Sequence, residues 1–141
     1  MSKSMMKNPD APHIDFNFMK GIITNIRDDI KDNPAWLACN IDMCCHRKTQ
    51  FMFAEWKRPN EMLQKGQQYL LEALSANPNH HVFVIDGWSD KNGHEITQIT
   101  RWIKKERFVQ GHSKDDLLEL IRKFYIHAED LASPNNTQPV F

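Results

Sequence analysis

The sequence predicts a single α/β (α+β) domain in which a mixed β-sheet is flanked by helices. Hydrophobic residues recur at helical spacing in three separate segments, and short runs of strand character lie between them. Residues 81–85 form a continuous apolar run, which is typical of a central strand buried on both faces. A chain of 141 residues is long enough for one hydrophobic core. The predicted order of elements is α-β-β-α-β-β-α.

The first half of the chain predicts a helix followed by a β-hairpin. Residues 1–12 are polar and contain two prolines, so we expect a disordered lead-in before a folded domain over residues 13–132. Apolar residues at helical spacing predict a helix over residues 14–30. Residues 36–46 and 49–57 have strand character, and the short gap between them predicts an antiparallel pair.

The second half of the chain predicts a helix, two strands and a final helix. Helical spacing returns over residues 61–75, and strands are expected at residues 81–85 and 95–102. Ser113 resembles an N-cap that begins the last helix, and residues 133–141 are expected to form a flexible polar tail. Because strand–helix–strand connections cross over right-handed, we expect the strands on either side of the middle helix to be parallel.

The composition indicates a soluble protein without a strong charge bias. The chain is 40% hydrophobic and 26% charged, and its formal net charge is zero, so any nucleic-acid-binding surface must be local. No apolar run reaches the roughly 18 residues that span a membrane. The N-terminus also lacks the apolar core of a signal peptide. A cytoplasmic location without membrane contact is therefore expected.

Three cysteines, Cys39, Cys44 and Cys45, lie close together in the first predicted strand. An odd, clustered set argues against a disulfide framework and agrees with a reducing compartment. Zinc binding is an alternative because His46 is adjacent, but strand alternation sends these four side chains to opposite faces. We therefore expect the cysteines to be small buried hydrophobic residues.

The end of the second predicted strand has an unusual charge pattern. Glu55 and Lys57 project from the same strand face as Phe51 and Phe53, because side chains alternate along a strand. Burying an ion costs several kcal/mol unless a partner or a metal compensates its charge. Asp42 lies on the preceding predicted strand, and two carboxylates that face each other there would repel. A magnesium ion between them would turn this repulsion into binding, since magnesium commonly takes one or two carboxylates.

This pattern resembles the PD-(D/E)XK nuclease superfamily, whose motif is an acid on one strand and Glu-x-Lys on the next, then a helix and a buried strand. The second half of the motif reads Phe-Ala-Glu-Trp-Lys-Arg-Pro over residues 53–59, and the following helix contains Gly66-Gln67. These residues are most similar to the virus-type replication-repair nuclease branch. The resemblance covers about residues 14–88 and implies a restriction-endonuclease-like core.

The resemblance implies roles for four side chains and one main-chain group. Asp42 and Glu55 would bind Mg2+ or Mn2+, together with the main-chain carbonyl of Trp56. Lys57 would be the catalytic lysine, which orients or deprotonates a water and steadies charge on a phosphate. Gln67 would complete the catalytic set from the edge of the site, because it lies about a quarter turn from the apolar face of its helix.

Further residues extend the predicted site. The resemblance also implies an additional acid from the first helix, for which Asp15 and Asp29 are the candidates. Asp15 lies near the expected place, and its alternative role is the N-cap of that helix. Sequence-independent affinity for nucleic acids comes mainly from lysine and arginine contacts to phosphates. The residues expected to supply such contacts are Arg58, Lys65, Arg101 and Lys104.

The predicted function is a metal-dependent nuclease that hydrolyses phosphodiester bonds in DNA, either as an endonuclease or as an exonuclease. The resemblance suggests a phage or mobile-element protein with a role in replication, repair or recombination. A small, near-neutral domain is expected to need a homodimer or a partner protein to grip DNA. The alternative is a catalytically inactive nuclease-like fold that binds nucleic acid or protein, for example as an inhibitor.

Overall fold

A computed structural model describes residues 16–26, 28–32, 39–131 and 141. The chain divides into two units, residues 1–38 and residues 39–141, and the first unit contains helix α1. In chain order the elements are α1 (Phe16–Thr24), β1 (Met43–Arg47), β2 (Gln50–Lys57), α2 (Lys65–Ser75), β3 (His80–Asp90), β4 (Gly93–Ile103), β5 (Glu106–Gly111) and α3 (Lys114–Leu131).

The second unit is built on a five-stranded mixed sheet in the order β1-β2-β3-β4-β5. Strands β2 and β3 are parallel and are connected through α2, whereas the other neighbouring strands are antiparallel. The predicted hairpin, the parallel pair and the α+β class with a mixed sheet are confirmed. The parallel pair matters for function because it brings the C-terminal ends of β2 and β3 together.

Helices α2 and α3 pack on opposite sides of this sheet, which we call the α2 side and the α3 side. On the α2 side, Leu71 packs with Val82, Val84 and Trp102. A second cluster of buried residues lies on the α3 side and consists of Met52, Ala54, Phe83, Ile85, Ile99, Leu120 and Phe124. Residues Val82 to Ile85 are at most 3% exposed, which confirms that the central strand is buried on both faces.

The predicted order of elements is wrong in one respect, because it omits β5. Lys104 and Lys105 form the turn from β4, and Lys104 has a φ of 56°, which is uncommon for a residue other than glycine. Strand β5 is an edge strand that is exposed along almost its whole length. An exposed edge strand does not need a regular apolar pattern, so hydrophobic periodicity did not reveal it.

The element boundaries differ from the predictions at two helices. Helix α1 ends at Thr24 instead of continuing to residue 30. The Thr24 hydroxyl donates to the Gly21 carbonyl over 2.6 Å. Helix α2 begins at Lys65 instead of residue 61, because Glu61 accepts a hydrogen bond from the Arg58 amide and holds the preceding loop. Such side-chain bonds to the backbone compete with regular helix formation.

The first predicted strand is also shorter than expected, since β1 begins at Met43 and residues 39–42 are not in a strand. Residues 36–38 of that predicted strand, together with the lead-in, Asp15 and residues 132–140, lie outside the described residues. The N-cap of the last helix is confirmed, because the Asp116 amide donates to the Ser113 hydroxyl over 3.1 Å. Phe141 packs against the buried cluster on the α3 side.

The expected burial of the cysteines is wrong, since Cys39, Cys44 and Cys45 are exposed free thiols. Cys44 and Cys45 belong to β1, which is the edge strand of the sheet opposite to β5 and has a strand neighbour on one side only. Partial burial raises the pKa of the Cys45 thiol, and the adjacent Cys44 raises it further. None of the described helices is long and apolar enough to cross a membrane.

Candidate functional site

The predicted acidic residues meet at the C-terminal ends of the parallel strands. Met43 pairs with Ala54 in the β1–β2 register, so Asp42 lies beside Glu55. Lys57, two residues further along β2, is in register with Asp86 of β3. Phe53 packs on the α2 side, and strand alternation puts Glu55 and Lys57 on the same side. Asp42, Glu55, Lys57 and Asp86 form what we call the acid site.

Backbone amides of the two neighbouring chain segments hold the carboxyl groups of Asp42 and Glu55. The Trp56 amide donates to Asp42 Oδ2 over 2.7 Å, and the Asp42 amide donates to the Glu55 carboxylate. Glu55 is only 5% exposed. Burial, the charge of Asp42 and a hydrogen bond between the two carboxyl groups together raise the pKa of Glu55 to about 7. Glu55 therefore keeps its proton at mildly acidic pH, where an exposed glutamate is ionised.

Gln67 orients Glu55 from the first turn of α2. Its amide nitrogen Nε2 donates to Glu55 Oε1 over 2.9 Å. Its Oε1 accepts a hydrogen bond of 3.2 Å from the Gln64 amide, which makes Gln67 part of the capping box at the start of the helix. The same side chain thus caps the start of the helix and fixes the buried carboxyl. The predicted contribution of Gln67 has a direct geometric basis in this contact.

Lys57 forms an ion pair with Asp86, whose role the sequence did not suggest. Lys57 Nζ lies 2.9 Å from Asp86 Oδ2, and the two side chains are 19% and 14% exposed. They form the most buried ion pair among the described residues. One signal was present in the sequence: Asp86 directly follows the apolar run, on the strand predicted to be parallel to β2. The register that joins it to Lys57 is a tertiary property.

A β-bulge shifts the register of β3 and β4 immediately after Asp86, and pairing continues beyond it. The register between β3 and β4 shifts between Asp86 and Gly87. A Cβ atom on Gly87 would lie 2.3 Å from the Glu95 carbonyl oxygen and 3.0 Å from the Trp56 ring. Only glycine fits there without displacement of the backbone. Bulges of this kind re-aim side chains at strand ends and are common next to active sites.

The residues present fit a magnesium or manganese ion of the kind that keeps several waters. Asp42 and Glu55 supply two adjacent carboxylates, and a cation would offset the two main causes of the raised pKa of Glu55, which are its burial and the charge of Asp42. Among the described residues, no group of three or more histidine, cysteine, aspartate or glutamate side chains is arranged to hold a metal. Asp15, the other predicted ligand, is outside the described part of the chain.

The predicted phosphate-binding residues do not form one surface. Arg58 directly follows β2 and Lys65 begins α2, and both are exposed near the acid site. Lys104 is exposed in the β4–β5 turn, at the opposite end of β4 from the acid site. Counted along β4 from Gln98, which is in register with Asp86, it is about 20 Å away.

The prediction for Arg101 is wrong, because this residue is buried. It is 4% exposed, and its guanidinium lies 4.8 Å from the Phe83 ring centroid and 4.4 Å from that of Phe141. Burial lowers the pKa of Arg101 to about 10. A side chain held between two rings in the core cannot contact a phosphate on the surface. A charge in the sequence does not reveal which face of its strand is covered.

Comparison of the chain with protein-family models, with curated proteins and with solved structures found no match.

Proposed function

We propose that this protein is a Mg2+- or Mn2+-dependent nuclease with a restriction-endonuclease-like core that hydrolyses phosphodiester bonds in DNA. The observation that carries the proposal is the contact between the Asp42 and Glu55 carboxyls, with Lys57 on the same side of the sheet. The β2–α2–β3 unit that surrounds them also agrees with the order of elements that the PD-(D/E)XK resemblance requires.

In the proposed mechanism, Asp42 and Glu55 would hold the cation. When bound, it would supply a Lewis acid for the phosphoryl oxygens and lower the pKa of water. Gln67 keeps Glu55 oriented toward the site through its 2.9 Å hydrogen bond. Lys57 positions the attacking water and stabilises the negative charge that develops on the phosphate.

Asp86 adds a positioning role to this mechanism. Its 2.9 Å contact holds the Lys57 ammonium at the end of β2, where a flexible lysine side chain would otherwise sample many rotamers. A half-buried ion pair also restricts the approach of solvent to the lysine. Asp86 is therefore proposed to set the direction of Lys57 rather than to touch the substrate.

Cleavage assays on supercoiled, linear and single-stranded DNA test the proposal. We expect strand cleavage with manganese or magnesium and none with a chelator. Lys57→Ala and Asp42→Asn should each reduce the rate by a factor of about 100 to 10,000, as expected for loss of an acid–base group or of a metal ligand. The matched control is Lys48→Ala, an exposed lysine in the β1–β2 turn, which should cleave at the wild-type rate. Wild-type protein that leaves all three substrates intact would exclude the enzyme.

A binding or inhibitory module is a second candidate, and a specific observation favours it. Lys57 is already neutralised by Asp86, and Asp42 is already satisfied by the Trp56 amide. Charges that satisfy one another internally are also what a non-catalytic scaffold would retain. Thermal melting separates the two candidates: a metal-dependent nuclease should gain melting temperature with manganese, because a ligand that binds only the folded state stabilises it. An inactive module with these charges paired should not.

A further inference from the structure

Trp88 is an exposed aromatic residue next to the acid site that the proposed mechanism does not use. It lies in β3, two residues after Asp86, and is 37% exposed. Alternation along β3 puts it on the α2 side together with Val84 and Asp86. Gly87, between them, faces the Trp56 ring on the other side, so the alternation continues through the bulge. Trp88 is therefore about 7 Å along the strand from Asp86.

The other two described tryptophans differ from Trp88 in exposure or in the side of the sheet on which they lie. Trp102 is 7% exposed and is covered by Arg107, whose guanidinium lies 3.3 Å from the ring centroid. Trp56 is 38% exposed but lies on the α3 side of the sheet, away from Glu55 and Lys57. Trp88 alone among these three combines exposure with the side of the sheet that carries the acid site.

The charges around Trp88 favour a base rather than a phosphate as its ligand. Glu95 is its register partner on β4, and Asp90 lies at the end of the same strand. Acidic side chains at this position repel a phosphate but do not repel the neutral face of a nucleobase. Two exposed positive residues near the acid site, Arg58 and Lys65, lie between the end of β2 and the first residue of α2. A nucleic-acid strand whose phosphates contact these residues would place a base toward β3.

We propose that Trp88 stacks on an unpaired nucleobase adjacent to the scissile phosphate. The inference rests on the proposed nuclease function and defines its substrate class as single-stranded or locally unpaired nucleic acid. Stacking on an aromatic side chain tolerates any base, because every base has a π-face. A fully paired duplex would hide that face, so Trp88 would favour single-stranded regions, flaps or ends.

Fluorescence anisotropy with calcium in place of manganese measures this contact without cleavage. The probe is a short fluorescein-labelled single-stranded oligonucleotide, with a duplex of the same sequence for comparison. We expect Trp88→Ala to bind the single strand about tenfold more weakly, which is within the usual range for loss of one stacked base, and Trp88→Phe to retain most of the affinity. Phe108→Ala, an aromatic residue of β5 with similar exposure that is in register with Arg101 of the α3 side, should bind within twofold of wild type.

Abasic oligonucleotides make the test specific for stacking. Removal of one base at a single position should weaken wild-type binding by the same factor as Trp88→Ala and should have no further effect on that variant. Equal binding by Trp88→Ala and wild type, or fully additive losses at every abasic position, would overturn the inference. The two proposals fail separately. Protein that binds through Trp88 but never cleaves with manganese refutes the nuclease alone, whereas active protein indifferent to Trp88→Ala refutes the stacking alone.

Discussion

At their N-terminal ends, the parallel strands β2 and β3 bury Gln50 and His81, which satisfy each other with neutral hydrogen bonds. His81 Nε2 lies 2.8 Å from Gln50 Oε1, and Gln50 Nε2 donates to Asn79 Oδ1 over 3.0 Å. At the C-terminal ends of the same strands, Glu55 is buried against another carboxyl group, that of Asp42. We call the first group the neutral network, to distinguish it from the acid site.

The two ends also shift pKa values in opposite directions, since the pKa of His81 is lowered and that of Glu55 is raised. Burial lowers the pKa of His81 to about 3, with help from the charge of Arg101, so the imidazole stays neutral at physiological pH. Burial and Asp42 raise the pKa of Glu55 to about 7, so this carboxyl is poised to lose a proton when a cation arrives. The neutral network belongs to the scaffold, whereas the acid site retains an unfavourable interaction that a ligand can relieve. Unfavourable local energetics of this kind are typical of functional sites.

The largest expected effect comes from neutralising the acid site. Glu55→Gln should reduce metal-dependent cleavage by a factor of about 100 to 10,000, because it removes a proposed metal ligand but keeps the shape and the contact to Gln67. Steady-state cleavage measures the loss. The matched control is Gln50→Ala in the neutral network, which should cleave at the wild-type rate per folded molecule. Equal losses in the two variants would remove the distinction between the two ends.

Removal of Gln50 should have the larger effect on stability. Gln50→Ala leaves His81 and Asn79 without their buried partner, and an unsatisfied buried polar group costs about 1–3 kcal/mol. We expect a loss of about 2 kcal/mol in the free energy of unfolding, measured by urea denaturation at neutral pH. In the acid site, Glu55→Gln should preserve or raise this free energy. A destabilising Glu55→Gln would show that the acid pair is structural.

The pH dependence of stability should differ between wild type and Glu55→Gln. A carboxyl whose pKa is raised from 4.5 to about 7 on folding binds more protons in the folded state within that window. The wild type therefore loses stability relative to Glu55→Gln as the pH rises from 4.5 to 7, by on the order of 3 kcal/mol at about 1.4 kcal/mol per pKa unit. Urea denaturation of both proteins at pH 4 and pH 8 without metal measures the difference. A pH-independent difference would contradict the raised pKa.

The neutral network predicts the opposite dependence at low pH. The folded His81 has a pKa of about 3 and the unfolded histidine about 6.5, so the unfolded state binds more protons between these values. Stability that depends on His81 is thus present above pH 6.5 and is lost as the pH falls toward 3. In His81→Gln, the free energy of unfolding from urea denaturation should depend less on pH between 6.5 and 3. An unchanged pH dependence would show that other groups cause the loss of stability in acid.

A smaller effect is expected when the ion pair within the acid site is broken. Asp86→Asn removes the partner of Lys57 but leaves the lysine and both proposed metal ligands in place. We expect kcat to fall about tenfold with KM nearly unchanged, since a misdirected lysine loses transition-state stabilisation rather than substrate binding. Asp86→Glu should recover part of the activity. A change in KM alone would instead indicate that Asp86 contacts the substrate.

The smallest effect concerns the exposed cations near and far from the acid site. Arg58→Ala should weaken DNA binding two- to threefold and reduce the salt slope by about one, as expected for one lost phosphate contact. Lys104→Ala should change neither quantity for a short oligonucleotide, because it lies at the other end of the sheet. Anisotropy titrations over a range of salt concentrations provide both numbers. Equal slopes for the two variants would place the DNA along the whole sheet.

Local patterns predicted the parts of the fold in which each residue's neighbours are close in sequence. The buried strand at residues 82–85 and the hairpin that joins β1 to β2 followed from apolar runs and short gaps. Strand β5 was missed because an exposed edge strand carries no regular apolar pattern. Arg101 was misjudged because one face of β4 is covered by Phe83 and Phe141, which are far away in the sequence.

The sequence by itself determined that Glu55 and Lys57 share one strand face, because strand alternation is a local steric property. Only the tertiary structure decided that Lys57 pairs with Asp86, that Gln67 bonds to Glu55, and that Glu55 is buried enough to raise its pKa. Those contacts depend on the register between distant strands and on where α2 begins. Both are set by packing of the whole sheet, in which many weak interactions are satisfied together.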